Sequence, residues 1–593
     1  MPIDSIPARL LERQVQHGAL PAYHHRRDEV WHTVTWARFA SEVHTAARSL
    51  VHLGLAPGQA TCLLCSNRPE WVIFAHATMM AGGTPAGIYT TSSPHEVQYI
   101  IDHAGARLLL LEDPRRLEDL RPRRGPALRL DRVVLLEGAD TIDDPLISSW
   151  ERFLALAEQT PRSAIDARME ALQSDDVATL IYTSGTTGDP KAVMLTHHNL
   201  AWTATTAAAQ LDTGPGDRSV SFLPLPNIAE QMFTVHVPAT VGAQIFYAAP
   251  ATPLPETLRQ VQPTLFFAVP RIWEKLHARV STQLDEATGV RAALVAWAMG
   301  VSRAVTDLHS QGKRPTASLW LRHQLAQLLS SRIRAQLGLS RVRICVTGAA
   351  PIAREILEFF AGLDLTIHEV YGQSEDCGAT ASNLPGATRP GTVGRPLPGT
   401  EVRLADDGEI LVRGPHVFRG YLHDETATSR TLVDGWLHTG DLGAFDRAGF
   451  LSVTGRRKEI IVTAGGKNIA PKHIEAALRN LPLISQAVVI GDRRRFLSAL
   501  LTLDPEAARA FAAERGRSGN NLHDALVIQQ AIERGVDEEV NPLFARVEHI
   551  CRWTILPRDF SIEAGELTPT LKIKRRVIYE HFNHEIEEMY ADV

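Results

Sequence analysis

The chain has 593 residues with 61 basic and 67 acidic side chains, a net charge of −6, and 44% hydrophobic residues. This composition excludes a mostly disordered or collagen-like chain, and without a basic excess it argues against a nucleic-acid partner. Five cysteines are too few for a disulfide framework, so a reducing, cytoplasmic location is expected. Cys62 and Cys65 form a CxxC pair inside an apolar run, which favours a buried strand over a zinc site.

Alternating helical and strand patterns fill the first third of the chain. Helical spacing covers residues 36–53 and 71–81, and strands are predicted at 60–65 and 107–111. This alternation is typical of an α/β architecture with a largely parallel sheet. Neither of the two long stretches without charged residues supplies the roughly 20 consecutive apolar residues of a bilayer span, which leaves surface contact with a membrane open.

The character of the sequence changes twice after residue 275. Residues 275–340 are rich in Ala, Leu, Gln and Arg and predict helices around a Gly-Pro break. After residue 390 short strands and turns prevail, with hairpins predicted over 401–413 and 440–455. From about residue 457, strands such as 459–463 and helices such as 472–478 indicate a separate small α+β lobe.

A segment dense in glycine and hydroxyl side chains, TSGTTGDPK at residues 183–191, follows a predicted strand at 177–182. Its glycines let the backbone approach an anion, its amides can form an anion-binding concavity, and Lys191 adds a positive charge. Pro190 is incompatible with a GxxxxGK[ST] loop, and the apolar residues after Lys191 predict a second strand. A polar surface loop is the alternative. The predicted anion-binding residues are Thr183, Ser184, Gly185, Thr186, Thr187 and Gly188.

The extended segment YTSGTTGDPKAVMLTHHN resembles the signature of the acyl-adenylate-forming enzymes, which include acyl-CoA synthetases, peptide-synthetase adenylation domains and luciferases. The resemblance runs from about residue 30 to residue 576, with further motifs in the family's order. The segments FLPLP at 222–226, AVPRIWEK at 268–275 and LTPTLK at 567–572 are most similar to long-chain fatty acyl-CoA synthetases.

The resemblance implies an α/β fold with two lobes. Residues 1–456 would form a large N-terminal lobe of mixed and parallel sheets with helices, a β-rich subdomain and a helical insertion at 275–340. The insertion is typical of the long-chain subgroup and could shape the acyl tunnel or touch a membrane, with a plain helical core as the alternative. Residues 457–593 would form a small, mobile α+β C-terminal lobe. The implied reaction uses ATP and Mg²⁺ to adenylate a medium- or long-chain fatty acid, and then transfers the acyl group to CoA.

The resemblance also implies roles for motifs that follow strands. Tyr371 would stack on adenine, Ser374 would bind the α-phosphate, Glu375 would hold Mg²⁺, and Asp441 would accept both hydroxyls of the ribose diol. Taken alone, Glu375 could equally be an exposed residue at a strand end. Small residues that would allow close approach of the nucleotide and the acyl carboxylate are Gly348, Ala349, Ala350 and Gly372.

The implied catalytic set is Lys572, Lys191, Glu375 and Arg456. Two of these, Arg456 and Lys572, are basic residues next to or within the C-terminal lobe. Lys572 would be the lysine of adenylation, and Lys574, two residues on and facing the same way in a strand, is the rival assignment. The resemblance makes Arg456 a ribose or phosphate contact. Solvated surface charge is the alternative for each of these basic residues.

The remaining implied roles concern the thiol and the acyl chain. Lys458 would be the hinge about which the small lobe rotates, bringing Gly465, Gly466 and Lys467 to the thiol channel. A simple glycine turn between a strand and a helix is the alternative for these three residues. Trp273 would gate the fatty-acid tunnel, with a structural buried Trp as the alternative.

Two positions depart from the family pattern. Ala192 replaces a glycine and would be strained by about 1–2 kcal/mol if its φ were positive. Asn227 replaces a histidine near the acyl carboxylate and could change the acyl acceptor.

Three other functions remain open from the sequence. A fatty acyl-AMP ligase that loads an acyl carrier protein is the nearest, although residues 459–471 lack the insertion typical of that group. A non-catalytic acyl- or nucleotide-binding protein is disfavoured by the retained Lys191, Glu375, Asp441 and Lys572. A luciferase-like oxygenase has no support in the sequence beyond the shared family.

Overall fold

A computed structural model describes residues 3–27, 30–120, 129–183, 189–248, 252–285, 288–465, 467–516, 521–568 and 571–591. The centre of the large lobe is an eight-stranded sheet that is parallel apart from two antiparallel pairings at one edge. In spatial order its strands are Gly420–Tyr421, Lys191–Thr196, Val177–Thr183, Thr84–Gly87, Ala60–Leu64, Leu108–Leu111, Arg132–Leu135 and Ile147–Ser149.

Both faces of this sheet are covered, which explains its continuous apolar strands. Along Leu108–Leu111, the first and third leucines join a core that contains Trp71, and the second and fourth join a core that contains Val97. Side chains of a strand alternate between faces, so a strand buried on both sides needs apolar residues throughout. Cys62 and Cys65 are buried beside this sheet, as predicted.

Two further sheets of the large lobe mix parallel and antiparallel pairs. The four-stranded sheet consists, in spatial order, of Arg218–Ser221, Gln244–Tyr247, Pro21–Arg27 and Val30–Thr35. The five-stranded sheet consists of Leu265–Ala268, Ile344–Thr347, Ile367–Tyr371, Ala381–Ser382 and Arg395–Pro396. In the second of these, the first three strands are parallel, so their carboxyl ends lie at one edge.

A β-rich subdomain follows, as predicted. Its antiparallel strands are Glu401–Leu404, Glu409–Arg413, Leu432–Val433, Trp436–Phe445 and Leu451–Arg456. Both predicted hairpins are present, and the turn at Asp406, Asp407 and Gly408 sets the register of the first, in which Leu404 faces Ile410.

The small lobe is built on the strands Ile484–Ile490, Leu497–Leu503 and Ile550–Ile555. The strand predicted at 459–463 is wrong in its first half, because Arg457–Glu459 forms a 3₁₀ turn and only Ile461–Val462 is extended, paired with Asn468–Ile469. The carboxylate of Glu459 forms an ion pair with Lys472 at 2.9 Å, which is consistent with its place in a turn. The α/β class and the small α+β lobe agree with the prediction.

Helices cover the sheets of both lobes, and the helical character predicted for residues 275–340 is confirmed. Three helices, Pro270–Asp285, Gly289–Ser310 and Ala317–Leu337, fill that region. Within the described ranges, no helix combines the length and apolar character needed to cross a bilayer. The other α-helices of the large lobe are Ile6–His17, Trp36–His52, Pro69–Met80, Pro94–His103, Trp150–Ala155, Arg162–Ala171, His197–Gln210, Ile228–Gln231, Val237–Val241, Leu254–Val261, Arg354–Ala361 and Glu425–Thr431. Those of the small lobe are Pro471–Arg479, Pro505–Glu514, Leu526–Gly535, Arg575–His581 and Asn583–Glu588.

Candidate active site

The glycine–hydroxyl segment lies between two antiparallel strands, as the sequence predicts. Val177–Thr183 pairs with Lys191–Thr196, and Thr183 faces Lys191 across the pair. Ser184, Gly185, Thr186, Thr187 and Gly188 lie outside the described residues. Thr183 and Lys191 therefore fix where the segment leaves and re-enters the edge of the sheet.

Lys191 is held beside an aromatic ring at this edge. Its Nζ lies 5.0 Å from the centre of the Tyr421 ring and 3.3 Å from Oδ2 of Asp424. The strand Gly420–Tyr421 pairs with Lys191–Thr196, so both partners of the lysine come from one distant segment of the chain. The side chain of Lys191 thus stays half-exposed at the sheet edge while Tyr421 and Asp424 hold its ammonium group.

Tyr421 also contacts Glu375. The Tyr421 hydroxyl donates a hydrogen bond of 2.7 Å to Oε1 of Glu375. Burial, followed by the negative charge of Glu375, raises the pKa of Tyr421, so the hydroxyl keeps its proton and acts as a donor. One tyrosine therefore links the predicted metal ligand to the lysine of the glycine–hydroxyl segment.

A buried carboxylate shapes the turn that carries Glu375. Ser374–Asp376 form a 3₁₀ turn after the strand Ile367–Tyr371. Asp376 accepts hydrogen bonds from the amide of Gln373 at 2.6 Å and from Thr380 Oγ1 at 2.8 Å. Burial raises the pKa of Asp376 to about 7.

Close backbone packing explains two of the predicted glycines. A Cβ on Gly372 would lie 2.5 Å from the backbone of Gly378, and a Cβ on Gly348 would lie 2.7 Å from Val370 Cγ1. Since the strands ending at Thr347 and Tyr371 are parallel neighbours, the two segments leave the same edge. Exposed Ala349 and Ala350 follow Gly348, and Ala349 has a φ of +69°, a left-handed conformation that is costly for a side chain.

Two buried polar atoms at this same edge have no hydrogen-bond partner in the described part of the chain. They are Oγ1 of Thr347 and Nε2 of Gln373. Buried polar groups are nearly always paired, so orphaned atoms beside a row of strand ends indicate a place where a bound molecule supplies the partner.

Asp441, Tyr371 and Arg456 form one hydrogen-bonded group. Arg456 Nε donates to Oδ1 of the buried Asp441 at 2.8 Å, and the Tyr371 hydroxyl donates to its Oδ2 at 3.0 Å. Asp441 and Arg456 face each other across the strand pair Trp436–Phe445 and Leu451–Arg456. The carboxylate keeps further lone pairs for ribose hydroxyls, because each oxygen can accept two hydrogen bonds.

The charges of this group act on Lys572 of the small lobe. Desolvation by the surrounding protein, followed by the positive charges of Arg456 and Lys472, lowers the pKa of Lys572, while Glu375 and Asp441 act in the opposite direction. The side chain nevertheless keeps access to solvent. A position in a cleft between the lobes accounts for both observations.

The argument that Lys572 and Lys574 share one face of a strand is wrong. Among the residues described here, which leave out 569 and 570, a single bridge joins Leu567 and Ile573, and Leu571 has a φ of +60°. Lys574 instead flanks the start of the helix Arg575–His581. The chain bends because Thr568 is hydrogen-bonded to both the amide and the carbonyl of Lys572, which closes a tight loop.

The predicted hinge and thiol-channel residues lie at the surface. Lys458 is exposed in the 3₁₀ turn Arg457–Glu459, and Gly465 and Lys467 are exposed at the turn of the small-lobe hairpin. Gly466 lies outside the described residues. The alternative interpretation was a glycine turn between a strand and a helix. In the structure, the segment instead lies between two short paired strands, Ile461–Val462 and Asn468–Ile469.

The condition for strain at Ala192, a positive φ, is not met. Ala192 is fully buried within the strand Lys191–Thr196, opposite Tyr182, and its carbonyl accepts a hydrogen bond of 2.9 Å from the amide of Leu422. A residue in a regular ladder has extended backbone angles, which alanine adopts without cost. This departure from the family pattern therefore needs no compensation.

Trp273 and Asn227 occupy defined places near the sheets. Trp273 is fully buried and packs edge-on against Phe266 and Phe360 in the core beneath the helix Pro270–Asp285. Asn227 caps the helix Ile228–Gln231, where its Oδ1 accepts from the amide of Ala229 at 3.0 Å. The capping role explains how asparagine is accommodated at this position.

The geometry agrees with the outcome of family comparisons. A model of the AMP-binding enzyme family matches residues 11–422, which is more than half of the chain, and a model of the AMP-binding enzyme C-terminal domain matches residues 458–593. The chain belongs to the AMP-binding enzyme family. The resemblance found in the motifs, and the prediction that the chain is an enzyme of this class, are thereby confirmed.

Individual relatives of this AMP-binding enzyme cover nearly all of it. It is 36% identical to the long-chain-fatty-acid–CoA ligase FadD15 of Mycobacterium bovis, over 99% of this chain and 97% of the relative. It is 35% identical to the long-chain-fatty-acid–CoA ligase ACSBG2 of Gallus gallus, over 97% of this chain and 80% of the relative. These relatives support acyl-CoA ligase chemistry in general.

Solved structures share the fold of this AMP-binding enzyme. The anthranilate CoA ligase AuaEII in complex with anthranoyl-AMP superposes with a TM-score of 0.73 and 20% identity, covering 98% of each chain. ATP-bound MatB from Rhodopseudomonas palustris gives a TM-score of 0.69 and 21% identity, covering 98% of this chain and 99% of the other. At these identities the likeness establishes the two-lobed architecture alone.

Sequence reasoning missed four residues of the AMP-binding enzyme's site. Tyr421 and Asp424 contact Lys191, and Thr347 and Gln373 contribute the orphaned polar atoms. Thr347 and Gln373 lie within motifs that had been singled out, at and just after the ends of two parallel strands, so the position at the strand ends was the available signal. Tyr421 has no such signal, since it reaches the site by pairing with a strand far away in the sequence.

Proposed function

We propose that the chain is an ATP-dependent fatty acid–CoA ligase that adenylates a medium- or long-chain carboxylate and then transfers the acyl group to CoA. The observation that carries this proposal is the cluster at the strand ends, in which Tyr421 joins Lys191 to Glu375, and Asp441 is hydrogen-bonded to Tyr371 and Arg456. The charges of Glu375, Asp441 and Arg456 also act on Lys572 and influence its pKa. A lysine among these groups is suited to a reaction in which negative charge moves between a carboxylate and a phosphate.

The first half-reaction joins the acid to AMP. A carboxylate oxygen attacks the α-phosphorus of ATP, the bond from that phosphorus to the bridging oxygen breaks, and pyrophosphate leaves with the electron pair. Lys572 lies where it can neutralise charge on the carboxylate and the α-phosphate together, and Ser374 offers a hydroxyl to the same phosphate. Catalysis of this type depends on positioning and charge stabilisation.

Groups from three sheets of the large lobe hold the nucleotide. Asp441 offers lone pairs to the ribose, and Arg456 lies within reach of ribose or phosphate. Tyr371 offers its ring to adenine beside Gly372, Gly348, Ala349 and Ala350. Residues 183–188 and Lys191 bind the remaining phosphates. The orphaned atoms of Thr347 and Gln373 support a bound molecule here.

Glu375 has the properties of a Mg²⁺ ligand. One of its oxygens accepts from Tyr421, and no side chain within the described ranges forms a hydrogen bond or ion pair with the other. A carboxylate with a free oxygen at the edge of a polar cleft suits an ion that binds one or two carboxylates along with phosphate oxygens. When bound, Mg²⁺ supplies positive charge against the phosphates.

The second half-reaction uses the thiol. The sulfur of CoA attacks the carbonyl carbon, the bond from that carbon to the phosphate oxygen breaks, AMP leaves, and the thiol proton passes to solvent. We place the boundary of the lobes between residues 456 and 457, with Lys458 as the pivot of the 457–593 lobe. Rotation brings Gly465, Gly466 and Lys467 in place of Lys572, a hinge motion absorbed by few residues.

The acyl chain extends past Asn227 toward Trp273. The packing of Trp273 against Phe266 and Phe360 supports an apolar environment at the start of the helix Pro270–Asp285. The relatives named as long-chain-fatty-acid–CoA ligases support a fatty acid as the substrate class.

A two-stage assay tests the proposal. In the first stage, the full chain is given ATP, Mg²⁺ and carboxylic acids from acetate to palmitate, and pyrophosphate exchange is measured. In the second stage, CoA or acyl carrier protein is added and the thioester is quantified. We expect exchange that grows with medium and long chains, and thioester on CoA. Transfer to carrier protein alone would assign the acyl-AMP ligase alternative, and no exchange with any acid would overturn the proposal.

A further inference from the structure

The helix Ala317–Leu337 presents large apolar side chains to solvent. Its outer face carries what we call the insertion patch: Trp320, Leu321, Leu325 and Leu328, which are 53%, 60%, 56% and 67% exposed. A helix turns by about 100° per residue, so these four residues lie within less than half of the helix circumference. Soluble monomers seldom expose such a contiguous cluster without a use for it.

The opposite face of the helix is anchored to the protein. His323, Ala326, Ser330 and Leu337 are buried, and Ala326 packs in a small core with Ala298 and Val301 of the helix Gly289–Ser310. His323 Nε2 and Asp364 Oδ1 are 2.6 Å apart, and Ser330 donates to the other oxygen of Asp364. The outward direction of the insertion patch is therefore fixed by packing on the other side.

The segment that carries the insertion patch has charged side chains of one sign. Residues 313–337 contain five basic residues and no Asp or Glu, although the whole chain has a net charge of −6. In the described part of the chain, no carboxylate forms an ion pair with Arg322 or Arg332, and both are exposed. The five basic residues are Lys313, Arg314, Arg322, Arg332 and Arg334.

We propose that the insertion patch docks the protein on the surface of an anionic lipid bilayer. A helix with Trp and Leu on its outer face, flanked by Lys and Arg, is the type that lies in the bilayer interface, and Trp prefers that depth. A second copy of this chain fits less well, because a symmetric contact would bring the same basic residues face to face. This surface goes beyond the proposed ligase function and does not depend on it.

Vesicle flotation with the full chain tests the proposal without ATP or a fatty acid. We expect the protein to float with vesicles of phosphatidylcholine and phosphatidylglycerol, less with phosphatidylcholine alone, and less in high salt. The variant L325Q/L328Q should bind anionic vesicles about tenfold more weakly, since apolar burial and charge both contribute to interfacial binding. R322Q/R332Q should lose most of the preference for the anionic lipid.

A matched control comes from the small lobe. Leu526 and Leu543 are 62% and 56% exposed, so L526Q/L543Q removes the same two side chains from another surface and should float as the wild type does. Wild-type protein that fails to float, or L325Q/L328Q that floats unchanged, overturns the proposal. Concentration-dependent dimers that L325Q/L328Q abolishes, without vesicle binding, would assign the patch to a second copy and overturn it equally.

Discussion

The two lobes contribute to the candidate site in different ways. In the large lobe, Tyr371, Asp441 and Arg456 are joined by hydrogen bonds and stand on the ends or edges of paired strands. In the small lobe, Lys572 lies on a short loop, and within the described residues its ammonium group forms no hydrogen bond or ion pair with the large lobe.

The large-lobe groups form a permanent part of the site, whereas the contribution of Lys572 depends on the position of the small lobe. The large-lobe groups keep their geometry whatever the small lobe does, because strand pairing holds them. The influence of Lys572 on the same charges acts through space and depends on where the small lobe sits. Substitutions in the two regions should therefore affect the two half-reactions unequally.

The largest expected effect is that of Lys572→Ala. Loss of the cation should lower the rate of adenylation about 10²–10³-fold and leave thioester formation from preformed acyl-AMP nearly unchanged. Pyrophosphate exchange and single-turnover thioester formation measure the two steps. Lys574→Ala serves as the control and should be close to wild type. Equal losses in both half-reactions would contradict the prediction that Lys572 acts in adenylation alone.

Glu375→Ala tests the permanent part of the site. Removing the carboxylate should raise the Mg²⁺ concentration for half-maximal adenylation by about 100-fold, because a hard cation loses a charged oxygen ligand. The measurement is a Mg²⁺ titration at saturating ATP and acid. Glu401→Ala, at an exposed ion pair with Arg413, is the control. Unchanged metal dependence would reject a ligand role for Glu375.

Tyr421→Phe should have a smaller effect of the same kind. Loss of the hydroxyl leaves Glu375 free to rotate, and loss of such an orienting hydrogen bond costs about tenfold in metal affinity. The same Mg²⁺ titration measures it. Tyr590→Phe, which removes a 2.8 Å hydrogen bond to Ser498 in the small lobe, is the matched control. A loss of kcat with unaltered Mg²⁺ dependence would show that Tyr421 does not act by orienting Glu375 for the metal ion.

The pH dependence of adenylation should report Lys572. Desolvation and neighbouring cations lower its pKa, so the ammonium group loses its proton at a lower pH than an ordinary lysine, and kcat/KM should fall as pH rises through that value. Lys572→Arg should remove this alkaline decrease, because a guanidinium stays charged. If the arginine variant is active and keeps the same decrease, another group is responsible.

Ala192→Gly should have the smallest effect. Because Ala192 sits unstrained in a buried strand, glycine should lower the free energy of unfolding by about 0.5–1 kcal/mol through greater chain entropy in the unfolded state. Urea unfolding measures the change. A gain in stability would instead indicate strain at this position and would revive the interpretation that the structure corrects.

Much of the local structure was predictable because local rules govern it. The hairpin predicted over 401–413 is present as the strands Glu401–Leu404 and Glu409–Arg413, since the Asp-Asp-Gly turn between them sets the register. The strand Leu108–Leu111 was predicted from its apolar run. The strand predicted around Lys572 does not form, because two hydrogen bonds between Thr568 and the backbone of Lys572 hold this segment in a loop.

The sequence by itself determined the α/β class, the family and the motifs that follow each strand, because turn chemistry and side-chain periodicity act over a few residues. The tertiary structure alone decided that Tyr421 joins Lys191 to Glu375, and that the charges of Arg456 and Asp441 influence the pKa of Lys572. The periodicity of the sequence indicates which face of a strand is buried. The complementarity of whole surfaces decides which distant segment pairs with a sheet edge and how one lobe packs on the other.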